Sequence, residues 1–180
     1  MSSRIFVTTG PESSGKTTLA RDLSERLAAP LVLEASRDYL NTLYSRAPGL
    51  PYQQSDLLEI ARLQVQRERA ALAEQHAQVV CDTDLLVILV WSEVKYGSCE
   101  TALLDLFADS LALAPRHYLL CDYRIPWEAD PLREHPHARD MLYRRYLDTL
   151  ERFSLAVTEV SGAPGQRLQQ ALAGAALLTP

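Results

Sequence analysis

Residues 10–17 read Gly10-Pro11-Glu12-Ser13-Ser14-Gly15-Lys16-Thr17, and no other stretch constrains the fold so tightly. An apolar run, Ile5-Phe6-Val7, leads into them, and a helical pattern opens after them at Thr18-Leu19-Ala20. The pattern G-x-x-x-x-G-K-[ST] carries meaning only in this strand–loop–helix setting. Glycines at both ends let the loop take backbone angles closed to other residues and let amides approach an anion closely. The positive end of the following helix adds to that cradle. The spacing therefore predicts a nucleoside triphosphate site built from Gly10, Glu12, Ser13, Ser14, Gly15, Lys16, Thr17 and Thr18. Lys16 is expected to reach the β- and γ-phosphates, and the Thr17 hydroxyl to bind Mg²⁺.

The rest of the chain supplies the remainder of one α/β sheet. Strands are expected at Arg4–Thr9, Leu31–Leu33, Gln78–Cys81, His117–Cys121 and Leu155–Val160. The helix after the loop runs to about Ala28, with Leu19, Leu23 and Leu27 as its core stripe. Further helices are expected from Ser36 to Arg46, from Ser55-Asp56 as cap and first turn to Gln75, from His137 to Phe153, and from Gln166 to Leu178. In the long helix, Leu58, Ala61, Val65 and Leu72 line the apolar side. The apolar stretch Leu85–Tyr96 closes at Gly97, a helix terminator. Strands alternating with helices give a parallel sheet covered on both faces. The expected class is a three-layer α/β/α P-loop NTPase with a five-stranded, mainly parallel sheet, like the nucleoside and nucleotide kinases. Residues 1–180 are expected to form a single domain, with a lid at about 124–139.

Composition narrows the setting. The net charge of −5 leaves no broad basic surface for nucleic acid or an acidic membrane. Cys81, Cys99 and Cys121 are odd in number and lack C-x-x-C spacing, so they read as reduced thiols. No signal peptide is expected from Met1-Ser2-Ser3-Arg4, and the apolar run Leu85–Trp91 is too short to cross a bilayer. A cytoplasmic protein acting on a small molecule is expected; a homo-oligomer is compatible with all of this.

Around the phosphate loop, several side chains suit phosphoryl transfer. Asp82 ends an apolar strand, where it can hold Mg²⁺ opposite Thr17 or cap the helix after it. Asp84 either caps that helix or faces the acceptor. Glu34 and Asp38 sit near the carboxyl end of strand two and compete with Asp82 to orient an acceptor hydroxyl. Arg37 either steadies these carboxylates or pairs with them structurally. Arg124, Arg133 and Arg139 are the lid arginines available to a transferring phosphoryl group. Trp91 and Tyr96 are core aromatics or a wall of the base pocket. His135 and His137 flank Pro136, but two histidines alone make a poor zinc site.

Taken in order, GPESSGKTTLA, LEASRDYL, CDTDLLVILVWSEVKYG, LLCDYRIPWEADPLREHP and Val160-Ser161-Gly162 with Arg167 resemble the ribosylnicotinamide kinase domain of bacterial NadR proteins and the P-loop ATPase family around it. The resemblance runs from Ile5 to about Ala173. It implies ATP- and Mg²⁺-dependent phosphorylation of the 5′-hydroxyl of nicotinamide riboside, giving nicotinamide mononucleotide for NAD synthesis. Carried over, it implies Gly10, Gly15, Lys16 and Thr17 on the triphosphate and Mg²⁺, Asp82 as the carboxylate at the reacting centre, Glu34, Arg37 and Asp84 around the ribosyl acceptor, and Arg133 as a catalytic arginine of the lid. It also implies Arg139 in the lid, and Ser161, Gly162 and Arg167 near the adenine. Where the family carries an aromatic residue ahead of the glutamate, this chain has Leu33. A nucleotide-dependent binding module, or a kinase for another nucleoside or nucleotide, are the alternative functions.

Overall fold

In the computed structural model, which describes residues 3–46, 51–129 and 137–176, five strands form one sheet. They are β1 (Arg4–Thr9), β2 (Leu31–Val32), β3 (Gln78–Asp82), β4 (Arg116–Cys121) and β5 (Val157–Val160), in the order β2-β3-β1-β4-β5 and all parallel. The central strand β1 is apolar on consecutive residues because both faces of a parallel sheet are covered. Its side chains alternate between two cores. Ile5 and Val7 join Val79, Cys81, Tyr118 and Leu120 on one face, while Phe6 joins Val80, Leu119 and Cys121 on the other.

The helices are α1 (Lys16–Leu27), α2 (Ala35–Arg46), α3 (Gln54–Ala73), α4 (Leu85–Tyr96), α5 (Thr101–Leu111), α6 (Arg139–Arg152) and α7 (Pro164–Ala176). Helices α1 and α7 cover the Phe6 face, and α3 to α6 cover the other. Helix α4 is buried at every position from Leu85 to Val90, which explains its unbroken apolar run; Gly97 ends it in the left-handed conformation. No described helix is long and apolar enough to cross a membrane.

Strand β5 begins at Val157, two residues later than expected, and other details differ from the sequence expectation as well. Helix α3 starts two residues earlier than Ser55 suggested: Gln53 is its N-cap, and Asp56 accepts the Gln53 amide at 2.6 Å in a reciprocal box. Its buried face runs through Leu57, Ile60, Ala61, Gln64, Val65, Glu68 and Ala71, so Leu58 and Leu72 lie on the flank. Helix α5 was not foreseen, although Leu103, Phe107 and Ser110 recur at helical spacing and are buried. Strand β2 stops at Val32, leaving Leu33 49% exposed. Register then sets the functional end. Thr8 of β1 stands beside Asp82, and Thr9 beside Leu120, so the loops after β1, β3 and β4 gather at one edge.

Candidate active site

The loop after β1 turns through Gly10 (φ 131°), Ser13 (φ 53°) and Gly15 (φ 80°) before α1 begins at Lys16. Left-handed residues set among right-handed ones point successive amides inward, which makes an anion-binding nest. A Cβ on Gly10 would lie 2.9 Å from the Cys121 carbonyl, so only glycine lets the loop pass this close to β4. The Lys16 ammonium donates to the Gly10 and Pro11 carbonyls at 3.0 and 2.7 Å, which holds it over the loop.

This loop forms the floor of a cavity of about 510 Å³. Gly10 and residues 12–18 line it, as the sequence led one to expect. Glu34, Arg37 and Asp38 face it from the start of α2, Asp82 from the end of β3, and Trp91 from α4. Leu33, noted above only as the residue ahead of Glu34, lines it too, and seven further lining residues were not assigned to the site from the sequence: Arg21, Ser36, Leu40, Val87, Ile125, Glu128 and Tyr146. Ser36, Leu40, Val87, Ile125 and Glu128 lie inside the stretches quoted above, and Arg21 and Tyr146 lie outside them.

Asp82 is 3% exposed and accepts a hydrogen bond from the Thr8 hydroxyl at 3.5 Å. Thr83 then takes a left-handed conformation (φ 69°), its amide donating to the Thr8 carbonyl at 3.1 Å. That turn breaks the strand alternation that would have put Asp82 and Asp84 on one side. Asp84 therefore does not line this cavity, although it borders a small neighbouring pocket with Glu34, Thr83 and Trp91. It caps α4 by accepting the Leu86 amide at 3.0 Å, and it also accepts the Tyr118 hydroxyl at 2.7 Å and Arg116 at 3.2 Å. Arg116 bridges on to Glu68 at 2.7 Å, all three charged side chains being almost wholly buried. Burial pushes the Asp84 and Glu68 carboxyls above their ordinary values, with Arg116 pulling the other way.

Glu34 faces the cavity with its side chain 15% exposed, accepting the Ser36 hydroxyl at 2.7 Å and ion-paired with Arg37 at 3.6 Å. Burial raises its carboxyl above the usual range, against the pull of Lys16 and Ser36. Arg37 is half open to solvent, at 43%, so it pairs with Glu34 without being locked there. Asp38 is more exposed still, at 66%, and bonds Arg67 at 2.6 Å. Trp91 stands between cavity and core, its ring 6.5 Å from that of buried Tyr52. Tyr96 does not line the cavity: its hydroxyl donates to the Tyr52 carbonyl at 3.1 Å, one helical turn and more beyond Trp91.

The segment after β4 reaches back over the phosphate loop. The Ser13 hydroxyl accepts the Glu128 amide at 2.8 Å, and Arg139 donates to the Ser13 and Ile125 carbonyls at 3.3 and 2.9 Å. Arg139 thus clasps the near part of the expected lid to the loop. Arg124 turns outward to Asp122 at 3.0 Å and is 75% exposed. Arg133 and His135 lie outside the described residues. Ser161 and Arg167 do not line the cavity: the Ser161 amide donates to Gln170 at 2.8 Å, and the Arg167 guanidinium is buried behind the loop.

The donors present suit Mg²⁺. Thr17 and Asp82 put a hydroxyl and a carboxylate on the same cavity, and this ion takes few protein ligands, completing its shell with water and phosphate oxygens. No group of three or more acidic, histidine or cysteine side chains suited to a metal occurs among the described residues, as such an arrangement requires none.

Compared with known proteins, the fold is similar to two NadR structures. One, in complex with nicotinamide riboside (NR), has a TM-score of 0.74 at 20% identity, over 98% of this chain and 52% of that one. The other, in complex with NAD and AMP-PNP, gives 0.71 at 18%, over 98% and 50%. The chain thus spans about half the length of these NadR proteins. Thymidylate kinase from Ehrlichia chaffeensis matches over 99% of this chain and all of its own, at TM-score 0.67 and 16% identity. These likenesses bear out the expected kinase-like α/β/α fold. No curated protein matches the sequence. The family model described as an AAA domain matches residues 5–167, and the chain belongs to that family.

Proposed function

We propose that the protein is an ATP-dependent kinase that phosphorylates the 5′-hydroxyl of nicotinamide riboside. The observation that carries this reading is the single cavity joining the phosphate loop to a second wall bearing Glu34 and Asp82. A nucleotide-dependent binding module needs the loop but not a carboxylate-lined acceptor space running into it. The likeness to NadR structures in complex with NR and with AMP-PNP supports both halves.

In this reading the loop amides and Lys16 hold the triphosphate and counter the charge that spreads over the transferring group. Thr17 and Asp82 would hold Mg²⁺, which supplies further neutralisation of the phosphate oxygens when bound. Glu34 accepts a hydrogen bond from the acceptor hydroxyl and takes its proton as the oxygen bonds to the γ-phosphorus and the bond to the β-phosphate oxygen breaks, releasing ADP. A carboxyl with raised proton affinity suits that duty, because a base works best when its pKa approaches the working pH. Arg37 steadies Glu34. Leu33 and Trp91 offer apolar faces to the ring of the nucleoside. Such ATP-consuming salvage chemistry belongs in the cytoplasm, within one kinase-like domain.

The test is ADP production from Mg·ATP with and without nicotinamide riboside, the product identified by mass. Stimulated ADP release with a nicotinamide mononucleotide peak supports the proposal. Stimulation only by another nucleoside or by a nucleoside monophosphate would keep the kinase and replace the substrate. Slow ADP release unaffected by any acceptor would overturn it in favour of a binding module.

A further inference from the structure

Arg167 is 5% exposed, and its donors go to backbone carbonyls. Nε donates to Gly162 at 2.9 Å, Nη1 to Ser14 at 2.6 Å and Nη2 to Asp122 at 3.1 Å. One guanidinium thereby ties the loops that follow β5, β1 and β4. Buried arginines are ordinarily held by a carboxylate, since an unpaired charge away from water is costly. Among the described residues Arg167 forms no ion pair, and Asp122, whose carbonyl it holds, gives its carboxylate to Arg124. A permanent cation therefore sits directly behind the phosphate loop without an ion-pair partner among the described residues. A Cβ on Gly15 would lie only 3.2 Å from Nη1.

The contact also orients the loop. Across a trans peptide the C=O and the next N–H point to opposite sides of their common plane. Arg167 takes the Ser14 carbonyl from within the protein, whereas Ser14 and Gly15 line the cavity and Arg167 does not. The Gly15 amide is thus turned toward the cavity. We infer that Arg167 is a positioning residue of the phosphate site: it fixes the Ser14–Gly15 peptide with its N–H toward the nucleotide and supplies the phosphates with positive potential through the loop, without touching them. This role rests on the cavity being a nucleotide site. It differs from a hydrogen bond to the base, which would leave the phosphates indifferent to Arg167.

The two roles give different signatures. A fixed cation is felt in proportion to the charge of the ligand, whereas a base contact is felt equally by ATP, ADP and AMP. The experiment is calorimetric titration of the three nucleotides, without added metal, into wild-type protein, Arg167→Met and Arg167→Lys. Arg167→Met should weaken ATP about tenfold or more, ADP less and AMP least, as expected for Coulomb attraction across a few ångströms of partly polar protein. Arg167→Lys keeps the charge but cannot bridge three carbonyls, so it should weaken all three while retaining most of the wild-type ATP-to-AMP ratio. That ratio does not depend on the fraction of molecules folded. Arg167→Gln reads the same gradient if the methionine variant yields no folded protein. Wild-type binding with an ungraded or absent effect in Arg167→Met, or a lysine variant whose ratio collapses as far as the methionine one, overturns the inference alone. Wild-type protein that binds none of the three overturns the nucleotide-site reading and this inference with it.

Discussion

Gly10→Ala is the substitution whose cost the structure defines best. Gly10 sits at φ 131°, beyond the small left-handed region open to other residues. Holding alanine there costs on the order of 1–3 kcal/mol. The new Cβ would meet the Cys121 carbonyl oxygen at 2.9 Å and the Cys121 amide nitrogen at 3.3 Å. Both atoms belong to the backbone of β4, which is bonded to β1 on one side and β5 on the other, so neither can swing away. Overpacking against so rigid a neighbour adds roughly 1–3 kcal/mol. The total is about 4 kcal/mol, or about 12 °C in Tm for a chain of this size. Gly97→Ala is the matched control: it is also left-handed, at φ 74°, but nothing lies within 4 Å of its Cβ. It should lose only about 1–2 kcal/mol. Thermal and urea unfolding of both variants decide the matter. If Gly10→Ala is no less stable than Gly97→Ala, the close approach of loop and strand is wrong.

Four further outcomes follow from the same geometry. Lys16→Ala should abolish transfer, since the phosphates lose their one mobile cation on the loop; turnover within about tenfold of wild type would refute this, given the usual worth of such a group. Asp82→Asn should lower turnover by orders of magnitude while calorimetry shows ATP binding little changed, and near-normal turnover would remove Asp82 from the reacting centre. Glu34→Gln should impair turnover about a hundredfold or more. It should also stabilise the protein at neutral pH: the folded state holds the Glu34 proton more firmly than the unfolded chain, so stability falls as pH rises from 4.5 through the raised folded value. A variant no more stable than wild type at pH 7 would contradict that sign. For His117, burial and Arg4 lower the pKa below 6.5, so the unfolded chain takes the proton first and stability drops as pH falls below that value. Melting curves of His117→Gln should show a shallower acid limb, and an unchanged one would exclude this imidazole as a source.

What the sequence made legible was whatever is local. A strand, a glycine-bounded loop and the first turn of a helix lie within a dozen residues, so the phosphate floor could be drawn residue by residue before any fold was known. The sheet followed because each strand is a short apolar run with breakers beside it. Helix α5 shows that the same signal can be present and passed over, since its buried Leu103 and Phe107 stand at helical spacing. Asp84 lies off the large cavity for a different reason. Its neighbour Asp82 has the same chemistry and nearly the same sequence context, and a single left-handed residue, Thr83, decides which of the two reaches the cavity. A threonine carries no advance notice of positive φ. Tyr96 shared the motif of Trp91 but lies more than one turn further along α4, where its hydroxyl finds the Tyr52 carbonyl instead.

The cavity wall that bears Glu34 and Asp82 is held together by a side chain that no motif announces. Gln64 of α3 is 2% exposed; its carbonyl accepts the Ala35 amide at 3.0 Å, and its amide donates to the Thr83 carbonyl at 3.4 Å. Ala35 follows Glu34 and Thr83 follows Asp82, so one buried amide fixes the backbone immediately beyond each carboxylate. The same amide reaches Glu68 at 3.4 Å, and through it the Arg116 bridge. Buried polar groups of this kind rigidify their surroundings only when each finds a partner, which most here do. The separation of Glu34 from Asp82 is therefore set from a third element, some thirty residues from one and twenty from the other. Local sequence can specify a phosphate cradle; the distance between a carboxylate in the β2–α2 turn and one at the end of β3 is a tertiary property, and here it depends on α3.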